Sequence, residues 1–356
     1  MHCCVNSIHL PTQNRNEDMM TPELKKTEQA VQDVIQKLGA LKEEIKKVIV
    51  GQEETIDQLL ITFLAGGHAL LEGVPGLAKT LMIRTLSDAI DLRFRRIQFT
   101  PDLMPSDIIG TEILEEDHTT GKRFFKFNKG PIFSNIILAD EINRTSPKTQ
   151  AALLEAMQEF EVTYAGTTYP LDKPFFILAT QNPIEQAGTF PLPEAQLDRF
   201  LLYIRIGYPT AEEERAILES TTGKKKGQIN KVIEGASILE AQRLVREVHI
   251  NSDLIETVSR IVRATRPGDS EVNYVNEWVR WGAGPRAGQS MILTAKARAL
   301  LRGRFSVTLE DIQNVAFPVL RHRILMNFKA EAEGVTPDEV TAKLFESIKT
   351  TSRKTL

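Results

Sequence analysis

Two acids in succession at the end of an apolar run are the first feature that asks for a chemical explanation. Ser134-Asn135-Ile136-Ile137-Leu138-Ala139 leads directly into Asp140-Glu141. Two carboxylates at the mouth of a buried strand repel each other and call for a cation. Upstream, Gly73-Val74-Pro75-Gly76-Leu77-Ala78-Lys79-Thr80 separates a short apolar run, Ala69 to Glu72, from a helical pattern over Thr80 to Ile90. Glycines there let backbone amides converge on an anion, and the start of a helix adds partial positive charge. Lys79 can then reach β- and γ-phosphates, and the Thr80 hydroxyl can bind Mg2+. In that arrangement Asp140 holds Mg2+ through water, and Glu141 orients and polarises the water that attacks the γ-phosphoryl group. The octapeptide departs from the strict phosphate-loop pattern at its sixth position, where Ala78 replaces glycine. A methyl adds little bulk and favours a helix about to begin, so tolerance is expected. Taken singly, the octapeptide fits an ordinary strand-to-helix turn and the acids fit a helix start; it is the pairing that points to nucleotide chemistry.

Three further residues sit where such chemistry needs them. A third apolar run, Phe175 to Thr180, ends in Gln181-Asn182-Pro183, so the Asn182 amide can position the lytic water beside Glu141. Leu197-Asp198-Arg199-Phe200 precedes the last apolar run, and Gly284-Pro285-Arg286 opens a helical stretch. Arginines near phosphate chemistry neutralise charge that builds in the transition state, here one from a neighbouring subunit and one from a lid. An isolated arginine of this kind is otherwise a surface ion-pair member, and Asn-Pro is otherwise a turn.

The elements that must hold these residues alternate. Short apolar runs at 69–72, 95–99, 136–139, 175–180 and 201–206 are separated by helical patterns such as Thr80 to Ile90 and Pro147 to Phe160. Continuous apolar strands between helices indicate a parallel sheet covered on both faces. Two polar hairpins interrupt it, Glu112 to Phe127 around Thr120-Gly121 and Glu161 to Leu171 around Ala165-Gly166. Ahead of the sheet, Thr21-Pro22-Glu23 reads as the start of a long helix, whose apolar residues Leu24, Val31, Leu38 and Ile45, with Val34, Leu41 and Val48, recur at heptad-like spacing. With Gly39 inside it, this is an amphipathic helix packed on the next domain and not a coiled coil. A second helix, Gln52 to Ala65, stops at Gly66-Gly67. From Ala211 onward the pattern is helical, with the loop Gly223-Lys224-Lys225-Lys226-Gly227 inside it and a last helix start at Thr336-Pro337. The expected division is therefore a disordered leader 1–20, a helical segment 21–50, an α/β core 51–208, a helical lid 209–330 and a tail 331–356.

Composition narrows the partners. The 356 residues carry 44 Lys and Arg against 47 Asp and Glu, a net charge of −3 that makes neither nucleic acid nor an anionic membrane the default partner. Only two cysteines occur, the adjacent Cys3 and Cys4, so no disulfide framework organises the fold. No apolar run approaches the ~20 residues needed to span a bilayer, and the N-terminus lacks a signal-peptide pattern. A cytoplasmic location without membrane insertion is expected.

These five features in this order, the phosphate loop, the acidic pair, Asn182, Arg199 and Arg286, make the chain resemble the AAA+ ATPases, and within their helix-2-insert clade the MoxR family. The resemblance covers about residues 45–325 and is carried by Glu72 to Thr80, Ala139 to Arg144, Leu153 to Met157 and Thr189 to Phe200. It implies that the loop is Walker A, Asp140 and Glu141 Walker B, Asn182 sensor 1, Arg199 an arginine finger and Arg286 sensor 2. The two hairpins correspond to the helix-2 insert and the pre-sensor-1 insert. It further implies a five-stranded sheet of order 5-1-4-3-2 with a helical lid. Ile49 and Val50 would face adenine, with Gly51 and Leu81 completing the nucleotide-binding set. ATP and Mg2+ are the implied cofactors. The implied assembly is a homo-oligomeric ring, a hexamer, that remodels or matures protein clients, often proteins with a von Willebrand A domain. A magnesium-chelatase motor subunit shares the inserts. A nucleic-acid motor of the same clade would use Lys122, Arg123 and Lys126 of the first hairpin, and a scaffold that scarcely hydrolyses ATP is disfavoured by Glu141 and Asn182.

Overall fold

The computed structural model describes residues 22–354 except Pro75, Asp117, Thr120, 184–187 and 223–227. The leader, the Thr21 cap, the Pro75 position of the phosphate loop, the lysine loop and the Thr120 half of the first hairpin turn lie outside the described residues.

Helices α1 (Pro22–Lys46) and α2 (Glu53–Leu64) precede the sheet. The chain continues through β1 (Ala69–Glu72), α3 (Lys79–Ile90), β2 (Phe94–Gln98), α4 (Pro105–Ile109) and a hairpin of β3 (Gly110–Glu116) and β4 (Arg123–Lys129). It then runs through β5 (Ile136–Asp140), α5 (Pro147–Glu159), a second hairpin of β6 (Glu161–Tyr164) and β7 (Thr167–Pro170), β8 (Phe176–Gln181), α6 (Glu194–Leu197) and β9 (Leu202–Arg205). Strands β2, β5, β8, β1 and β9 pair in that order, all parallel. Counting only these five strands along the chain and reading from β9, the order is 5-1-4-3-2, as the resemblance implied.

The apolar runs form strands because both of their faces are covered. In β5 and β8 the alternation sends Ile136, Leu138, Phe176 and Leu178 into one core cluster and Ile137, Ala139, Ile177 and Ala179 into the other. Helix α5 covers the second face. The first face is covered by α1, α2 and α3, and the same cluster runs on without a break into the helical C-terminal part. Val34, Leu38, Leu41 and Ile45 of α1 are all buried in it, which makes α1 the expected amphipathic helix. Four such side chains are worth several kcal/mol together, at roughly 1.5–3 kcal/mol each. Asp57 of α2 locks the arrangement by pairing with Lys42 of α1 and, at 2.9 Å, with Arg302.

The C-terminal part comprises α7 (Ala211–Thr222), α8 (Gly235–Glu247), α9 (Ser252–Ala264), α10 (Asn273–Trp278), β10 (Val279–Trp281), α11 (Pro285–Leu301), α12 (Leu309–Leu320), β11 (Leu325–Met326), α13 (Phe328–Glu333) and α14 (Pro337–Lys354). A small antiparallel pair, β10 with β11, joins the expected helices. Helix α14 packs on α12, so the chain beyond residue 330 adds to the same helical body.

Both hairpins form. The second turns through Ala165 and Gly166, each with positive φ (47° and 80°), the geometry a two-residue hairpin turn requires. Phe127 of the first hairpin stacks on Tyr164 and Tyr169 of the second, ring centroids 5.0 and 4.6 Å away, which joins the two. Two ion pairs form within the first hairpin: Arg123 pairs with Glu116 and Lys126 with Glu115, both at 3.0 Å.

Candidate nucleotide site

Strand register brings the chemistry to one edge of the sheet. Glu72 of β1 lies opposite Gln181 of β8, and Ala179 lies opposite Ala139. Gly73, Asp140, Glu141 and Asn182 therefore all emerge at the carboxyl edge, where open α/β sheets hold their ligands. Helix α3 begins at Lys79, so its amino end and the loop before it face the same edge.

Within the loop Gly76 has φ 89°, which glycine adopts without cost. Gly73 is packed so closely on Ile206 that a β-carbon would come within 2.9 Å of it. Lys79 folds back, its ammonium donating to the Gly73 carbonyl. Burial pulls the Lys79 pKa below its ordinary value, against the opposing influence of Asp140, Glu141 and Glu72. Ala78 departs from expectation. It is not the first helical residue but the residue before α3, left-handed at φ 56° and ψ 20°. Its methyl therefore brings strain of about 1–2 kcal/mol and no helix propensity.

The acidic pair is held by residues that the sequence reading did not single out. Thr180, fully buried, donates to Oδ1 of Asp140 at 2.6 Å and accepts the Glu141 amide at 2.9 Å. Arg96 of β2 donates to Oδ2 of Asp140 through two nitrogens, at 2.6 and 3.0 Å. Gln98 donates to Glu141 at 3.0 Å, and Arg144 pairs with the same oxygen at 3.1 Å. Glu141 itself is left-handed, φ 58°, which turns the chain away from β5. The register β2–β5 placing Gln98 opposite Asp140 was the signal for Gln98 and Arg96, but it depends on knowing which strands pair.

Thr80, in the first turn of α3, and Asp140 offer oxygen donors only. A hydroxyl and a carboxylate suit a hard cation that keeps most of its waters and takes its remaining ligands from phosphate. No group of three or more His, Cys, Asp or Glu placed to hold a metal ion exists among the described residues, and none is needed for such an ion. Thr80 and Asp140 thus fit Mg2+. Of the other residues that the resemblance assigns to the nucleotide, Ile49 is buried in the core and Val50 is half-buried, while Leu81 is exposed. Gly51 has φ 68° and lies against the Glu213 side chain. Asn182 is buried just beyond β8.

Arg199 and Arg286 are brought together with each other and not with Lys79. The Leu201 amide donates to the carbonyl of His68, the residue before β1, at 2.8 Å. Arg199 therefore lies at the amino edge, a four-residue strand or about 13 Å from the phosphate loop. Its guanidinium donates to the Leu154 carbonyl at 3.0 Å. Arg286, at the start of α11, lies 3.6 Å from Asp198. Both line a cavity of about 270 Å³ between α5 and α11, with Met157, Ser290, Leu293 and Arg323.

The chain matches the model of the ATPase family associated with various cellular activities (AAA) over residues 68–202 and that of the AAA lid domain over residues 273–344. It is 43% identical to Chaperone MoxR1 of Mycobacterium tuberculosis over 306 residues, 86% of this chain and 80% of that one. It is 30% identical to Protein MoxR of Paracoccus denitrificans, with 83% and 91% of the two chains covered. A crystal structure from Cytophaga hutchinsonii superposes with a TM-score of 0.84 at 43% identity, covering 91% of this chain and 98% of that one. On these matches, the chain belongs to the MoxR family of AAA+ ATPases.

Proposed function

We propose that the protein is a Mg2+-dependent ATP hydrolase working as a homo-oligomeric ring, a hexamer, on protein clients in the cytoplasm. The observation that carries this reading is the separation of the site into two edges. Lys79, Thr80, Asp140, Glu141 and Asn182 gather at the carboxyl edge, while Arg199 and Arg286 gather at the amino edge, out of reach of their own phosphate loop. Two half-sites on opposite edges of one chain are complementary across a boundary between copies.

In this mechanism the backbone N–H groups of Gly73, Val74 and residues 76–78 and the α3 amino end bind the triphosphate, and Lys79 swings from the Gly73 carbonyl to the β- and γ-phosphates. Thr80 and Asp140 would hold Mg2+, which neutralises charge on the phosphate oxygens. Glu141 accepts a hydrogen bond from the attacking water, and Asn182 fixes that water for in-line approach. Arg199 and Arg286 of one copy stabilise the charge that builds on the γ-phosphoryl group bound to the next. Residues 51–208 act as the nucleotide-binding core and 209–330 as the lid, with Ile49, Val50, Gly51 and Leu81 lining the base. Movement between copies follows nucleotide state.

The clients proposed are proteins carrying von Willebrand A domains, on the strength of the MoxR resemblance. Two of the three basic residues that a nucleic-acid motor would use in the first hairpin, Arg123 and Lys126, pair with Glu116 and Glu115, which weighs against that reading. Steady-state ATP hydrolysis is the test, with and without Mg2+, with and without DNA, and beside Glu141→Gln. Turnover that needs Mg2+, falls in the variant and ignores DNA is expected. Turnover that survives Glu141→Gln or rises steeply with DNA would overturn the reading. ATP-bound Glu141→Gln protein should retain its clients for identification.

A further inference from the structure

Arg323 is a buried cation that the hydrolysis chemistry does not use. It follows the end of α12, and its side chain is 3% exposed. Its Nε donates to Oδ1 of Asp198 at 2.7 Å. Its terminal nitrogens donate to the carbonyls of Val319 at 2.7 Å and Phe200 at 2.8 Å, with longer bonds to Leu201, Asp198 and the Ser290 hydroxyl, each at 3.3 Å. A guanidinium with its donors so fully engaged is not available to a substrate. What it grips is the turn 198–201, which carries Arg199. The other oxygen of Asp198 lies 3.6 Å from Arg286. The carboxylate of the residue preceding Arg199 in the turn thus faces the arginine of α11, and one buried arginine fixes that carboxylate. The planar five-donor geometry does this where lysine would not. Breaking such a pair leaves a charge without its partner, so the turn would rearrange.

We propose that Arg323 is a positioning residue for Arg199 and Arg286, acting through Asp198. This rests on the reading that those two arginines serve the neighbouring copy. The buried pair holds the turn and the start of α11 as one surface, so that both guanidinium groups are presented together at the boundary.

The experiment separates this role from a general structural one by asking which copy carries the lesion. Chains bearing Glu141→Gln keep their arginines but have a dead site; chains bearing Arg199→Ala keep their site but lack the donated arginine. Mixing them should raise ATP turnover above either alone, at the boundaries where a Glu141→Gln chain serves an Arg199→Ala chain. Arg323→Gln added to the Glu141→Gln chain should then cut the restored turnover at least about tenfold. The same substitution added to the Arg199→Ala chain should leave it within about twofold, and binding of a fluorescent ATP analogue should be unchanged in either. Asp198→Asn, which keeps the side-chain size, should show the same asymmetry if Arg323→Gln does not fold. Equal loss from either chain, or no loss from either, overturns the proposal. If the parental mixture gains nothing over its components, the reading of arginines acting between copies fails first, and the proposal falls with it.

Discussion

Thr180 donates its hydroxyl to Oδ1 of Asp140 at 2.6 Å and receives the amide of Glu141 at 2.9 Å. One buried side chain on β8 thereby fixes both acids at the end of β5. Thr180→Val keeps the shape and removes both bonds, leaving the Glu141 amide without its partner. The expected outcome is a loss of about 1–3 kcal/mol in urea unfolding. Turnover should drop about 10- to 100-fold, as happens when an outer partner of a metal or catalytic carboxylate is lost. Thr180→Ser should recover most of both, because the hydroxyl is what matters.

How far the sequence reaches is visible at this same spot. The strand, the acids and the phosphate loop were legible because each is written locally, as an apolar run meeting charge or glycine. Thr180, Arg96 and Gln98 were not, since their roles arise from the pairing of β2, β5 and β8, strands separated by dozens of residues. Arg96 and Gln98 also sit on the outermost strand β2, Phe94-Arg95-Arg96-Ile97-Gln98, where exposed polar residues carry no mark of function. Arg199 and Arg286 are legible as types, but only the fold brings Arg286 to Asp198 and to the cavity that Arg199 lines. Arg323 lies in Arg321-His322-Arg323 after an apolar helix, where burial of a charge is the last thing composition suggests.

Ala78 carries a left-handed backbone at φ 56° that glycine would adopt freely. Ala78→Gly should stabilise the apo protein by about 0.5–1 kcal/mol, the relief of strain outweighing the extra freedom of the unfolded chain. Ala78→Val should destabilise it by about 1–2 kcal/mol, because branching at the β-carbon worsens the same clash. Chemical unfolding of the two variants checks the sign of each. A loss on going to glycine would show that the loop does not hold this backbone in solution.

Gly39 lies inside α1, and a β-carbon there meets nothing within 4 Å. Neighbouring Leu38 and Leu41 are buried, so the helix is already held in place. Gly39→Ala should add about 0.5–1 kcal/mol through helix propensity alone, with ATP turnover unchanged. Thermal melting at fixed protein concentration measures it. A destabilised variant would mean that the helix bends at this point.

His68 gives the fold an acid limit. Its Nδ1 accepts the Ile177 amide at 3.1 Å and its Nε2 lies 3.0 Å from the Met157 carbonyl, so the neutral ring bridges β8 and the end of α5. Burial pushes its pKa down to about 4 from the ordinary 6.5, the Met157 carbonyl opposing this only in part. The unfolded chain therefore binds a proton here below pH 6.5 that the folded chain refuses until about pH 4. Stability from this group is complete above pH 6.5 and is lost as the pH falls toward 4, by about 3 kcal/mol in all. His322, buried between Arg321 and Arg323, is also pulled well below its ordinary value and adds to the slope in the same direction. Unfolding free energy measured by urea titration between pH 7 and 4 should fall steeply for the parent protein. The His68→Gln variant, less stable at pH 7 but with one titrating group fewer, should fall less. Parallel curves for the two proteins would show that His68 is protonated equally in the folded and unfolded chains.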